Sequence, residues 1–169
     1  MEPVSGNVIQ NGMVRKVLET VPSQFRKFSP EDLRGFLMTG HLELQNAGGV
    51  LMEEGSSELR NAWLIADGLL SVWKDNVRVA SLAAGDFTGE EFLFKNGVRT
   101  ATVKADTNAV LVRFEKSAVI EFFRTRPERV FKLFIMNLLE VQQRRIHALN
   151  GKVASLKREL EEAKGDVNT

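Results

Sequence analysis

The chain has 169 residues, 23 Lys and Arg against 22 Asp and Glu, and a net charge of +1, with 43% hydrophobic and 27% charged residues; this composition excludes a disordered or fibrous chain. No apolar run approaches the roughly 20 residues that cross a bilayer, and the N-terminus lacks the basic and apolar regions of a signal peptide, so a cytoplasmic protein off the membrane is expected. The absence of Cys and the presence of only two His, His41 and His147, exclude disulfides, thiolate chemistry and a three-ligand zinc site, and the near-neutral balance argues against a dedicated nucleic-acid binder.

Residues 1–40 read as two helical pieces. Val14, Val17, Leu18 and Val21 recur at spacings of three and four, and Ser29-Pro30-Glu31-Asp32 is a helix start, with Ser29 as cap and Pro30 in the first turn. From 41 to 114 apolar residues alternate with period two in short segments. Glycine and Asp or Asn punctuate them, as at Asp67-Gly68, Lys74-Asp75-Asn76 and Ala84-Gly85-Asp86. About eight such strands predict an α+β protein built on a jelly-roll barrel.

After Phe114 the helical period returns. Ala118, Val119, Phe122 and Phe123 give a short helix ending near Arg126-Pro127. A long one then runs over 127–163, roughly 55 Å at 1.5 Å per residue. Its residues Ile135, Leu139, Ile146, Leu149, Val153, Leu156, Leu160 and Ala163 follow a three-four seam broken only by Gln142. A stripe this long outruns one small barrel, so a partner helix is implied, and a parallel homodimer through 135–163 is expected. Asn150-Gly151 is the weak point, yet the seam keeps phase through it, which predicts a continuous helix with a frayed tail from Lys164. The division expected is a domain at 1–126 and a lid and dimerisation helix at 127–169. The Phe residues 92, 94, 122, 123, 131 and 134 read as core and hinge packing, and His147 as solvated.

The chemistry concentrates between Gly85 and Val103. A glycine before a single helical turn at 90–95 leaves backbone N–H groups free for an anion. Glu90 and Arg99, nine residues apart, suit a ligand that combines a phosphate with a vicinal hydroxyl: the guanidinium pairs with phosphate oxygens and the carboxylate accepts from the hydroxyl. No nucleophile–base set or metal cluster is visible, so binding without catalysis is expected, and no cofactor.

Gly89, Glu90, Leu93, Arg99, Ala101 and Val103 resemble, without a gap, the phosphate-binding cassette of cyclic nucleotide-binding domains of the catabolite-activator and protein kinase A regulatory-subunit type. The similarity covers about 25–165. It implies that Glu90 binds the ribose 2′-hydroxyl and Arg99 the cyclic phosphate of cyclic AMP or cyclic GMP. Gly89 and Ala101 amides and the Thr100 hydroxyl would assist, and Arg144 and Arg145 lie where the family's long helix covers the base. Glu91 and Phe92 depart from the pattern: a second carboxylate facing inward would repel the anion. Two functions follow: a cyclic-nucleotide sensor that regulates an unknown downstream protein, or a dimeric interaction scaffold that has lost nucleotide binding. A transcription regulator is not expected, because no helix-turn-helix follows the long helix and DNA binding would be absent.

Overall fold

The computed structural model describes residues 2–3, 8–93 and 97–166. Strand β1 (Glu2–Pro3) is followed by a 3-10 turn at Val8–Gln10 and by helix α1 (Gly12–Glu19), whose Asn11 cap accepts from the Met13 and Val14 amides. A second 3-10 turn, Ser23–Phe25, leads to helix α2 (Pro30–Leu37). The Ser29 hydroxyl oxygen accepts from the Asp32 amide at 3.1 Å, as the sequence predicts.

The strands that follow are β2 (Gly40–Gln45), β3 (Val50–Met52), β4 (Asn61–Asp67), β5 (Leu70–Lys74), β6 (Val77–Leu82), β7 (Phe87–Thr88), β8 (Thr102–Ala105) and β9 (Ala109–Glu115). They form two antiparallel sheets, ordered β1-β2-β9-β4-β7 and β3-β8-β5-β6. The jelly-roll expectation holds, but the two sheets stack without closing into a continuous barrel. At Gly68 φ is +100°, and a Cβ there would meet Ala109 at 2.8 Å, so the β4–β5 turn requires glycine.

The first sheet is buried on both faces. Ala62, Leu64 and Ala66 of β4 and Val112 and Phe114 of β9 point to a core shared with the helices, whereas Trp63, Ile65, Ala109 and Leu111 point between the sheets. Period-two alternation therefore sorts two apolar sets into two cores.

Helix α3 (Lys116–Arg124) and the long helix α4 (Glu128–Asp166) close the chain. The first three turns of α4 belong to the helix-side core through Val130, Phe134 and Leu138, with the Phe134 ring 5.3 Å from Phe36. Buried Asn137 donates to the Gln24 and Arg26 carbonyls at 3.1 and 2.8 Å, and Arg26 pairs with Glu140. These contacts fix the direction in which α4 leaves the domain. It is unbroken through Asn150-Gly151 and helical to Asp166, beyond the expected onset of fraying, since Glu161 to Lys164 are all good helix formers. Phe131 is 40% exposed and touches Phe123, so it packs at the hinge rather than in the core. Phe94 lies outside the described residues.

Candidate functional site

Between β6, the 3-10 turn Glu90–Leu93, the segment leading into β8 and the middle of α4 lies a cavity of about 910 Å³, within the range of small-molecule sites. Gly89, Glu90, Glu91, Thr100 and Ala101 line it from the cassette, Val72, Val79 and Leu82 give it an apolar wall, and Gln142, Arg145, Ile146 and Leu149 of α4 stand over it.

Gly89 makes the bend that presents Glu90. Its φ is +85°, and a Cβ would come 2.8 Å from the Asn61 carbonyl oxygen. Glu90 is only 5% exposed. Burial pushes its carboxyl above the usual carboxylate range, against the opposing pull of its own backbone N–H, Arg145 and Gln142. The Gln142 amide donates to its Oε1, and Arg145 Nη1 lies 3.8 Å from the same oxygen while Arg145 Nη2 donates to the Phe87 carbonyl at 3.1 Å. The long helix is thus tied to the carboxylate at the cavity floor.

Arg99 sits differently from the expectation of a guanidinium in the cavity. It is 2% exposed, and its donors go to backbone oxygens: Nε to Glu58 at 2.9 Å and the two terminal nitrogens to Gly89 at 3.1 Å and Asn61 at 2.7 Å. Its Cζ lies 5.8 Å from the Trp63 ring centroid, and it borders a second cleft of about 650 Å³ with Glu43, Trp63 and Arg113. Glu91 faces the first cavity, but accepts from the Thr100 hydroxyl at 2.5 Å and lies 3.5 Å from an Arg99 nitrogen, so its charge is partly balanced there. Phe92 turns away into the helix-side core at 3% exposure, so it does not narrow the cavity.

Of the two arginines expected over the base, Arg145 borders the cavity, whereas Arg144 is exposed and absent from its lining. Gln142 is the residue that sequence reasoning passed over. Its signal was the interruption it makes in the apolar seam: a polar side chain at a seam position has a polar partner to meet.

The family model of the cyclic nucleotide-binding domain matches residues 45–126. Over 141 residues, 82% of the chain, the sequence is 31% identical to the human potassium/sodium hyperpolarization-activated cyclic nucleotide-gated channel 3, and equally to its mouse counterpart. The chain spans 18% of the length of those channels. A crystal structure of a cyclic nucleotide-binding domain from Methylobacillus flagellatus superposes with a TM-score of 0.72 at 19% identity, covering 89% of this chain and 94% of that one. The catabolite activator protein of Thermus thermophilus gives 0.66 at 20% identity, covering 80% and 63%. These structural likenesses speak to the fold, which agrees with the sequence match and with the glycine-presented carboxylate at the cavity floor: residues 45–126 belong to the cyclic nucleotide-binding domain family.

Proposed function

We propose that the protein is a non-catalytic cytoplasmic sensor of cyclic AMP or cyclic GMP that reports occupancy through α4 to a second copy of itself and to a downstream protein. The observation that carries this reading is Glu90, a buried carboxylate at the floor of a nucleotide-sized cavity whose partners, Gln142 and Arg145, come from the helix that covers it. A ribose 2′-hydroxyl donating to Glu90 competes with Gln142 for the same oxygen, so ligand and lid position are coupled through one atom. That competition supplies the differential affinity for two conformations which any ligand-driven switch requires.

Gly89, Thr100 and Ala101 line the cavity, and on this reading the amides of Gly89 and Ala101 and the Thr100 hydroxyl assist in holding the cyclic phosphate. We assign the phosphate to Arg99, which must exchange its three carbonyl contacts for phosphate oxygens on binding. Arg145, freed from Glu90, is the lid residue available to the base. The Thr100 hydroxyl oxygen, whose proton goes to Glu91, can also accept from the exocyclic amine of a guanine, and one neutral hydrogen bond is worth about 0.5–1.5 kcal/mol, so at most a modest preference for cyclic GMP is expected.

The engagement of all three Arg99 nitrogens by backbone carbonyls favours a second reading, a dimeric scaffold without nucleotide. Titration calorimetry with cyclic AMP and cyclic GMP separates the two. The sensor reading predicts saturable binding of one nucleotide per chain, weakened at least tenfold or so in Glu90→Ala. Absence of heat with either nucleotide at millimolar concentration favours the scaffold.

A further inference from the structure

Beyond the domain, α4 carries an apolar stripe that nothing among the described residues covers. Ile146, Leu149, Val153, Leu156 and Leu160 are 44–63% exposed, and every side chain from Asn150 to Gly165 is exposed. The stripe has heptad spacing, with Ile146, Val153 and Leu160 at the first apolar position and Leu149, Leu156 and Ala163 at the second.

The flanking charges decide how a second copy can lie against it. In a parallel pair, the position before each first apolar residue meets the position after the second apolar residue of the partner's following heptad. Lys152 then faces Lys157 of the other copy and Glu159 faces Lys164, each twice by symmetry, so the attractive pair does no more than offset the repulsive one. In an antiparallel pair with Val153 opposite Leu156, Lys152 faces Glu159 instead, again twice, and Lys157 faces the neutral Asn150. The layers also fit: Ile146 meets Ala163, and Leu149 meets Leu160. Like charges in register cost about what opposite charges contribute, so only the antiparallel arrangement is free of a repulsive pair among these positions.

We propose that the exposed half of α4 is an antiparallel self-association surface spanning 146–163, occupied by a second copy of this chain. This replaces the parallel arrangement expected from the apolar spacing alone. It places the partner's Leu160 turn against Ile146 and Leu149, two residues that border the nucleotide cavity, so the self-association surface and the lid of the cavity share side chains.

Two measurements on the nucleotide-free full chain test it. Sedimentation equilibrium of Lys152→Glu discriminates by sign, because the substitution creates a repulsive Glu–Glu pair in the antiparallel form and an attractive Glu–Lys pair in the parallel form. The proposal expects dimer dissociation to rise roughly tenfold. A tighter dimer, or wild-type protein that stays monomeric at about 100 micromolar, overturns it. The absence of native Cys makes crosslinking equally direct. Ala163→Cys mixed with Ile146→Cys forms a heterodimeric disulfide under oxidation, whereas Ala163→Cys alone does not, its two copies lying about 26 Å apart along the axis. Efficient disulfide formation by Ala163→Cys alone overturns the proposal.

Discussion

Arg99 holds the carbonyls of Glu58, Gly89 and Asn61 and lies against Trp63, so its loss leaves buried acceptors without donors as well as a void. Arg99→Ala is therefore expected to destabilise the fold by at least about 3 kcal/mol, a fall in Tm of roughly 6–12 °C for a domain of this size, measurable by thermal melting. Arg99→Lys should recover little of it, because one ammonium cannot span three carbonyls arranged around a planar fork. Glu90 makes the opposite case. Its carboxyl is raised by burial, so the folded state holds that proton more tightly than the unfolded one, and this contribution to stability is lost as pH rises through the raised value. Above that raised value the ionised group opposes folding, and there Glu90→Gln should melt higher than wild type. The difference should narrow as pH falls toward the ordinary carboxylate range; a gap that widens on acidification would contradict the assigned cause.

At the scale of elements, α4 depends on a small number of anchors near its start. Asn137 satisfies two backbone carbonyls at the Ser23–Phe25 turn, and Asn137→Ala should cost about 2–3 kcal/mol and lower Tm by roughly 4–12 °C. Amide hydrogen exchange should rise in the first turns of α4 and at the Ser23–Phe25 turn, with β4 and β9 much less affected. The helices were legible because their signals are local: Ser29, Pro30 and Asp32 cap α2, and the three-four spacing after Pro127 marks α4. The strands were legible through period two, but closure of the barrel was not, since sheet stacking depends on long-range pairing that spacing does not encode. In the same way the Glu90–Arg99 spacing located the cassette, while the destination of the Arg99 side chain depended on carbonyls of the 58–61 segment, some forty residues away in sequence. Gln142 showed only as a flaw in a pattern, and its meaning required knowing that α4 passes over Glu90.

For the whole molecule, a cavity, a buried carboxylate and a long helix are joined by the contacts of Gln142 and Arg145. In the proposed sensor, nucleotide in the cavity takes Glu90 from these residues and so changes where α4 lies relative to the sheets. Gln142→Ala should accordingly tighten nucleotide binding a few-fold, since the ligand no longer competes with the amide for the carboxylate. The most direct test uses the lack of native cysteine: spin labels on Val77→Cys, 61% exposed on β6, and Gln143→Cys, exposed on α4, report the distance from sheet to helix by pulsed electron resonance. An excess of unlabelled protein restricts the signal to pairs within one chain. Addition of cyclic AMP or cyclic GMP should shift the distance distribution to a new maximum; an unchanged distribution at saturating nucleotide would contradict the account.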